Sequence, residues 1–436
     1  MCHRRIAKWL LRVAVPSNQT LQLTLDPAAA MAIAFAAPAS RGSSARTLCD
    51  WLSIGGYMNN CKSVVELFAL FLSLLSCISH AETIEIRNVA FSPILFHVGE
   101  GQSSISACDF NSDGNKDVIV SNHSDNNIIV FQGDGTGHLS ELTRIPAGEN
   151  PTDIATSDIS NDGNVDIAIA NHETAYVTLL LGDGKGYFKK SAQSLLNIGI
   201  KPHPHAVQLQ DLDGDQVAEL IVDSRESDGL LVLKGLPNGR FKMPGDIIHV
   251  GGDPYRGFAI GDINGDGALD LVTPNQRDVG IALNSGSGES SFKLSNLSQP
   301  ESPFAVELAD LTGDGKLDLL VATNGMSLSV IPGDGLGNFN ETHKTVMKAS
   351  SGAKQIATGD INLDGIEDAL ISDWSGELLV VVGSKTALES YRFQHASVPN
   401  PWGVALADLN NDGRSDLIIA DGASKLAVVY VSQEVR

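Results

Sequence analysis

Short apolar segments recur along most of the chain. Runs such as GFAIG (257–261) precede a polar loop, and β-branched runs such as DIAIAN (166–171) and DLIIAD (416–421) follow such loops. A third apolar run, such as LAVVYV (426–431), leads elsewhere to a glycine turn such as GDGKGYF (182–188), and a weaker fourth run comes next. Short apolar runs bounded by glycine turns predict β-strands, four to each unit.

An acidic nine-residue motif separates the first and second runs of every unit. Its copies are 48 to 53 residues apart: DFNSDGNKD from Asp109, DISNDGNVD from Asp158, DLDGDQVAE from Asp211, DINGDGALD from Asp262, DLTGDGKLD from Asp310, DINLDGIED from Asp360 and DLNNDGRSD from Asp408. A repeat of this length indicates a propeller or a solenoid. Four short strands joined by tight turns make one propeller blade, so the chain is predicted to be all-β, with seven antiparallel blades.

The two ends of the repeat region favour a closed ring. SPILFHVGEG (92–101) lies where a fourth strand lies in later units, and the chain stops after the third strand of the last unit. Pairing these two segments would complete the last blade and remove the open edges of the sheet. A solenoid would need capping ends, and the sequence has none that we recognise.

The acidic motif has the donor pattern of a calcium loop. In GDINGDGALDLV, oxygen-bearing side chains occupy positions 1, 3, 5 and 9, and Gly267 occupies position 6. Hard cations such as calcium prefer such oxygen ligands. An EF-hand would also need Glu at position 12, where Thr273 lies. Metal-free Asx-turns are the alternative, but several carboxylates in one loop repel each other unless a cation is bound.

These repeats, with their glycine turns, resemble the FG-GAP or VCBS repeat family, which includes the integrin α-subunit propeller. The resemblance covers roughly residues 92 to 436. It implies a calcium-binding propeller, with calcium held by the loop between the first and second strands of a blade and partners on the opposite face. It also implies about four to seven structural calcium ions, each with a backbone carbonyl at position 7 of the loop.

The implied side-chain ligands differ in strength between copies. Copies 1, 4, 6 and 7 have the full set, whereas Ser160 and Thr312 give copies 2 and 5 a weaker neutral hydroxyl at position 3. Copy 3 departs most, with Gln216 in place of the loop glycine. The complete set is Asp109, Asn111, Asp113, Asp117, Asp158, Ser160, Asp162, Asp166, Asp211, Asp213, Asp215, Glu219, Asp262, Asn264, Asp266, Asp270, Asp310, Thr312, Asp314, Asp318, Asp360, Asn362, Asp364, Asp368, Asp408, Asn410, Asp412 and Asp416.

The N-terminal part of the chain predicts export. Residues 58–81 have a short charged start, an apolar stretch from Leu67 to Ile78, and small residues at Ser79 and Ala81, a pattern typical of a signal peptide. Cleavage after Ala81 would release a soluble protein, whereas the lipobox-like sequence ending at Cys77 would tether it by a lipid. Residues 1–57 are predicted to be an upstream extension absent from the mature protein, or a basic targeting segment. The mature propeller would span residues 82–436 and be secreted, periplasmic or lipid-anchored at the surface.

Charge and composition exclude several function classes. A net charge of −22 disfavours nucleic acid and anionic membranes as partners. Motifs for a nucleophilic serine, a phosphate loop or a zinc protease are absent, and only Cys108 lies beyond the signal region, so the mature domain has no internal disulfide. His123, His172, His203 and His205 are a weak candidate for a metal or acid-base cluster.

The repeats differ most at the start of the first strand, six residues before each loop. These positions carry Ser103, Thr152, His205, Arg256, Phe304, Lys354 and Trp402. They would ring the channel mouth together with the second-to-third strand loops, which contain Asn122, His123, Asn171, His172, Arg225, Asn275, Arg277, Asp373 and Trp374. From these the candidate ligand residues are His205, Arg256, Phe304, Lys354, Trp374 and Trp402.

Three functions remain open at this point. The first is a monomeric binding or adhesion module for a glycan or an extracellular protein, since a concave rim of aromatic, amide and cationic groups suits such ligands. The second is a calcium-dependent polysaccharide lyase or hydrolase, for which Arg256 and Lys354 are the candidate catalytic pair. The third is a scaffold of a cell-envelope assembly.

Overall fold

The computed structural model describes residues 83–436, apart from residues 200–203, 224–228, 255–256, 287–291, 326, 349–350 and 435–436. The predicted extension, signal peptide and lipobox therefore lie outside the described residues, as do His203, Arg225 and Arg256. Within the described part, no helix is long and apolar enough to cross a membrane.

The described residues form seven antiparallel blades. Two strands, β1 (Ile84–Ile86) and β2 (Val89–His97), precede the first blade. Blade 1 contains β3 (Gln102–Cys108), β4 (Asp117–Asn122), β5 (Asn127–Gly133) and β6 (Leu139–Pro146). Blade 2 contains β7 (Pro151–Ser157), β8 (Asp166–Asn171), β9 (Tyr176–Gly182) and two short strands that both pair with β9, β10 (Phe188–Lys190) and β11 (Leu196–Asn197).

Blades 3 and 4 follow the same order. Blade 3 contains β12 (Val207–Gln210), β13 (Glu219–Val222), β14 (Gly229–Leu233), a small hairpin of β15 (Gly235–Leu236) and β16 (Arg240–Phe241), and β17 (Asp246–His249) as its fourth strand. Blade 4 contains β18 (Ala259–Gly261), β19 (Asp270–Pro274), β20 (Asp278–Asn284) and β21 (Phe292–Ser298).

The last three blades bring the chain back to its start. Blade 5 contains β22 (Pro303–Ala309), β23 (Asp318–Thr323), β24 (Ser327–Ile331), a 3-10 turn at Glu341–His343, and β25 (Thr345–Lys348). Blade 6 contains β26 (Ala353–Gly359), β27 (Asp368–Asp373), β28 (Leu378–Val382) and β29 (Glu389–Phe393). Blade 7 contains β30 (Pro401–Ala407), β31 (Asp416–Asp421) and β32 (Leu426–Glu434), followed in the sheet by β2 and β1.

The N-terminal strand closes the ring as the sequence predicts. β2 pairs antiparallel with β32, from Val89 opposite Glu434 to His97 opposite Leu426. The strand starts three residues before the predicted segment, and β1 adds a fifth strand that the repeat pattern did not indicate. Arg87, in the turn between β1 and β2, donates a hydrogen bond of 2.9 Å to Asp364 of blade 6. The N-terminal segment therefore joins two blades.

The first strands of the blades form the inner ring. Those of neighbouring blades contact one another, including β30 with β3 across the closure. Between blades 3 and 4, Gln208 Nε2 donates to the carbonyl oxygen of Phe258 at 2.8 Å. The second strands are buried along their whole length, as in β4, β8 and β31, because neighbouring blades cover both faces. Burial on both faces explains why these strands read as continuous apolar runs.

Candidate functional site

Each acidic motif forms the loop between the first and second strands of its blade. In blade 4, Asp262 Oδ1 accepts the backbone N–H of Asp266 at 3.1 Å, and Oδ2 accepts that of Gly267 at 2.8 Å. Asn264 Oδ1 accepts the N–H of Asp266 at 2.9 Å, and Asp266 Oδ1 that of Ala268 at 2.9 Å. Gly267 has φ +87°, a left-handed conformation that favours glycine. Every loop has the bond from position 6 to the carboxylate at position 1.

The carboxylate at position 9 holds its loop from inside the blade. Asp270 is fully buried; its Oδ2 accepts the N–H of Ile263 at 3.0 Å and its Oδ1 accepts that of Asn284 at 2.7 Å. Burial, with a smaller contribution from the charges of Asp266 and Asp262, raises the pKa of Asp270 to about 6. In the same way, burial and the weaker effect of carboxylates in their own loops raise the pKa of Asp416 to about 6 and that of Asp368 to about 7.

The donor chemistry of the loops fits a hard cation. A carboxylate has about four lone pairs on its two oxygens, so those that accept one or two backbone N–H groups keep capacity for a metal. Burial, and to a smaller degree repulsion from neighbouring carboxylates, raises the pKa of the position-9 carboxylates, and a nearby cation would favour their charged form. Positions 1, 3 and 5 supply the exposed oxygens, whereas position 9 connects the loop to the β-sheet.

Blade 3 differs from the other loops. Among the described His, Cys, Asp and Glu side chains, a group of three with ligand atoms within 4.8 Å of one another occurs only at Asp211, Asp213 and Asp215. Lys234 Nζ contacts Asp213 Oδ2 and lies 2.9 Å from Asp215 Oδ2. Hydrogen bonds to these two carboxylates raise the pKa of Lys234, which therefore stays charged at neutral pH. A lysine ammonium thus already bonds the oxygens that a metal would use.

The opposite ends of the first strands surround the mouth of the central channel. Trp402 is the second residue of β30, whereas Asp408 directly follows the strand, which separates the mouth from the acidic loops by roughly 20 Å. A cavity of about 500 Å³ occupies the mouth and the upper channel. It is lined by residues from all seven blades, among them His123, Thr152, His205, Phe258, Glu307, Lys354 and Trp402.

An aromatic group lies on the blade 5 to 7 side of this mouth. Trp374 and Trp402 meet edge to face with ring centroids 5.0 Å apart, and Phe304 lies 6.0 Å from Trp374. Trp374 is 43 % exposed, whereas Phe304 is buried. Trp374 thus presents its indole to solvent, Trp402 lines the cavity beside it, and Phe304 packs against Trp374 from the buried side.

Lys354 is part of this support. Only 5 % of it is exposed, and its ammonium donates to Asn400 Oδ1 at 2.7 Å and to the carbonyl oxygen of Pro401 at 2.8 Å. The same nitrogen lies 4.9 Å and 5.1 Å from the ring centroids of Trp374 and Trp402. Burial lowers the pKa of Lys354 to about 8.

Three of the four candidate histidines meet on the other side of the mouth. The rings of His123 and His172 are 6.0 Å apart, and those of His172 and His205 are 4.7 Å apart. Burial lowers the pKa of His123, which favours its neutral form. None of these histidines belongs to a convergent metal-ligand group among the described side chains. They form a polar wall of the cavity in which neighbouring rings are tilted by 48° and 47°.

Three acids lie below the mouth: Asp153 and Glu307 line the cavity, and Asp223 is buried next to the lining residues His205 and Ala206. Asp153 accepts Ser104 Oγ at 2.9 Å from blade 1 and the N–H of Val207 at 3.0 Å from blade 3, and burial raises its pKa to about 6. Asp223 accepts the N–H groups of His205 and Gly257, again with a pKa raised to about 6 by burial. Glu307 accepts the N–H of Leu308 at 3.0 Å, and burial raises its pKa to about 7.

Comparison with protein families identifies the repeats. The FG-GAP-like repeat model matches residues 109–169, 158–222, 262–321 and 310–371, which together cover more than half of the chain. The chain belongs to the FG-GAP-like repeat family. Each match runs from one acidic loop through the next, so the FG-GAP-like unit coincides with the sequence repeat. No curated protein matches the chain significantly.

Solved structures share the fold of this FG-GAP-like protein at low sequence identity. Two structures of BBS1N in complex with ARL6DN, soaked with lead and with mercury, have a TM-score of 0.53, are 11% and 12% identical, and cover 79% of this chain and 96% of their own. An Agrocybe aegerita lectin specific for non-reducing terminal N-acetylglucosamine has a TM-score of 0.48 and 18% identity, over 75% of this chain and 88% of its own. The likeness to BBS1N supports the propeller architecture.

The FG-GAP-like repeats bring most of the predicted rim residues to one place, but in different roles. His205, Lys354 and Trp402 line the cavity, Trp374 adjoins Trp402, and Phe304 supports Trp374. The asparagines of the rim are structural: Asn122 Oδ1 accepts the N–H of Gly99, and the side chains of Asn171 and Asn275 donate to the carbonyl oxygens of Ala147 and Val250.

Sequence reasoning missed the channel acids and the partner of the blade 3 loop. Asp153 and Glu307 lie in first strands at registers where the other copies have mostly small residues, as at Ala305 and Ala357, and one glutamine each, Gln355 and Gln208. That departure from the repeat was an available signal. Lys234 lies 21 residues from Asp213, so only the strand pairing places it at the loop.

Proposed function

We propose that this FG-GAP-like propeller is a binding module that takes a glycan at the mouth of its central channel. The observation that carries the proposal is the exposed indole of Trp374 beside a polar cavity of about 500 Å³. Sites for small ligands fall in the range of about 300–1,000 Å³ and combine apolar surface with a few polar groups. A sugar ring needs this combination, since its C–H face packs on an aromatic ring while its hydroxyls form hydrogen bonds.

The remaining walls supply the polar partners. Carboxyl, amide and imidazole groups of Asp153, Gln208, Glu307, Gln355 and His205 line the same cavity. These groups include both donors and acceptors, and each sugar hydroxyl can act as either. Protein binding is the alternative within the same class, and BBS1N, a propeller of similar fold, is found in complex with ARL6DN. The small, concave and polar shape of the mouth favours a glycan over a flat protein surface.

The experiment is a glycan array followed by titration calorimetry on the best ligand. Trp374→Ala should weaken binding about tenfold, corresponding to ~1.4 kcal/mol, because stacking on the indole is lost. Tyr187→Ala is the matched control, since Tyr187 is 50 % exposed and lies in the glycine turn at the metal-loop end of blade 2. Equal affinities of wild type and Trp374→Ala, or an array without any binding, would exclude the glycan site at this mouth.

We further propose that the acidic loops bind calcium as a structural ion. The loops of blades 1, 4, 6 and 7 have two Asp and one Asn at positions 1, 3 and 5, and those of blades 2 and 5 have a hydroxyl in place of the Asn. The binding order should follow this ligand strength. Calcium then stabilises the loops without taking part in ligand binding at the far end of the channel.

Export is the third part of the proposal. Residues 58–81 support it through their signal-peptide pattern, and a domain with one cysteine beyond that region folds without disulfides in any compartment. N-terminal sequencing of the exported protein distinguishes the two outcomes. A start at Glu82 means release, and a lipid-modified Cys77 means tethering to the surface.

A further inference from the structure

We propose that Lys234 is the built-in cation of the blade 3 loop, so that this loop closes without calcium while the other loops take the metal. The inference rests on the calcium part of the proposed function and adds an exception to it. It also opposes the simplest interpretation of the acidic group at Asp211, Asp213 and Asp215, which is that the tightest cluster is the best metal site.

The geometry places an ammonium where a metal would lie. Asp211, Asp213 and Asp215 have oxygens within 4.8 Å of one another, and Lys234 Nζ bonds both Asp213 and Asp215. An ammonium is a compact charge with three donors, so it can bridge several carboxylates much as a small ion does. Asp211 is instead held by the backbone N–H groups of its own loop. Calcium would have to displace the ammonium from Asp213 and Asp215, two of its own ligands.

The position of Lys234 is equivalent to a non-cationic residue in every other blade. Lys234 directly precedes Gly235, whose backbone N–H donates to Glu219, the carboxylate at position 9 of the loop. The corresponding bonds of the other blades start at Gly133, Gly182, Asn284, Gly333, Gly383 and Ser432. The residues before these are Gln132, Leu181, Leu283, Pro332, Val382 and Val431. Gln132 donates a neutral hydrogen bond to Asp113 at 3.2 Å, which is the uncharged counterpart of the lysine contact.

Two further departures occur in the same loop. Position 3 carries the charged Asp213, where the other loops have Asn, Ser or Thr, so the extra negative charge is matched by the positive charge of Lys234. Position 6 carries Gln216 with φ +69°, where the other loops have glycine. A side chain in this conformation costs energy, so the blade 3 loop keeps the left-handed turn of the other loops without the glycine that favours it.

The test counts calcium per chain by mass spectrometry after equilibration at a fixed free calcium concentration. Asp262→Asn in blade 4 should lower the count by one, whereas Asp211→Asn, at the same position of the blade 3 loop, should leave it unchanged. Lys234→Gln copies the natural residue of blade 1 and should raise the count by one. Lys234→Arg keeps the charge and should give the wild-type count. Circular dichroism confirms that each variant is folded.

The outcomes separate this inference from the proposed function. A loss of one ion in Asp211→Asn, or an unchanged count in Lys234→Gln, would overturn the role of Lys234 while leaving calcium in the other loops intact. A wild-type protein without calcium would overturn both the calcium proposal and this inference. In chelator, Lys234→Gln should melt below the wild type, because three carboxylates then repel each other without a cation; an equal melting temperature would also contradict the inference.

Discussion

The indole of Trp374 meets that of Trp402 edge to face, with ring centroids 5.0 Å apart, although the two residues belong to different blades. Lys354 joins them, since its ammonium lies within about 5 Å of both ring centroids and bonds the segment that leads into β30. The exposed face of Trp374 therefore depends on a buried charge. We therefore expect the proposed ligand binding at the mouth to be coupled to the stability of the blade 6 to 7 junction through this group.

Lys354→Met should destabilise the protein by ~1–3 kcal/mol, because Asn400 Oδ1 and the carbonyl oxygen of Pro401 lose their donor. Burial lowers the pKa of Lys354 to about 8 from its ordinary value of 10.5. Between these two pH values the unfolded chain therefore holds a proton on Lys354 that the folded chain has released. Wild-type stability relative to Lys354→Met should therefore increase as pH rises from about 8 to 10. Urea unfolding at several pH values measures this. Lys348→Met, an exposed lysine of β25, is the control and should show neither effect.

Glu307→Gln should stabilise the protein above neutral pH. Burial raises the pKa of Glu307 to about 7 from 4.5, so the folded state holds a proton that the unfolded state releases, and stability is lost as pH rises from about 4.5 through 7. Glutamine keeps the shape without the charge, so the variant should match the wild type near pH 4 and exceed it by at least ~1 kcal/mol at pH 8. Thermal unfolding across this range gives the comparison. Glu149→Gln, at an exposed position, should follow the wild type. If Glu307→Gln lost as much stability as the wild type between pH 4 and pH 8, the ionisation of Glu307 would not be the cause of that loss.

Removal of calcium should lower the melting temperature, and added calcium should restore it. At a free concentration 100 times the dissociation constant, each bound ion stabilises the folded state by about 2.7 kcal/mol. Scanning calorimetry in chelator and in calcium measures the difference. Magnesium is the control because it demands octahedral geometry and releases its waters reluctantly. A melting temperature that is the same in chelator and in calcium would rule out a stabilising role for calcium.

Phe91→Ala should destabilise the protein by about 3–5 kcal/mol, even though Phe91 lies in the N-terminal strand. Its ring is fully buried in the core between blades 6 and 7, with Tyr430 and Val428 of β32 in the same cluster. Leu95→Ala is the matched control, since Leu95 is in the same strand but 45 % exposed. Equal unfolding free energies for the two variants in urea would mean that β2 does not contribute to the closed ring.

The fold was predictable from the sequence because its determinants repeat. The short apolar runs, the glycine turns and the acidic motif are local patterns, and seven copies of them leave few possible architectures. The closure by SPILFHVGEG was also predictable. The last repeat lacks its fourth strand and an additional strand precedes the first repeat, so pairing the two completes the last blade. The strand β1 and its turn at Arg87 lie outside the repeat, so no pattern indicated them.

The candidate site was predictable in position but not in detail. Variation at one register position indicated the channel mouth, and four residues of that register, Thr152, His205, Lys354 and Trp402, line the cavity. The variation did not distinguish exposed Trp374 from buried Lys354, because exposure depends on how blades 6 and 7 pack. Arg256 lies outside the described residues, and its role at the rim stays a prediction.

The sequence by itself determined the number of blades, because each blade has one copy of the acidic motif. It also determined the strand order and the oxygen-bearing side chains of each acidic loop, because these depend on residues within one repeat. The tertiary structure decided which side chains meet between blades and between distant strands. Lys234 reaches Asp213 and Asp215 through strand pairing, and Lys354 joins Trp374 to Trp402 through the packing of two blades. The first contact depends on side-chain direction within a blade and the second on the stacking of two blades, so a repeat pattern that gives only strand order contains neither.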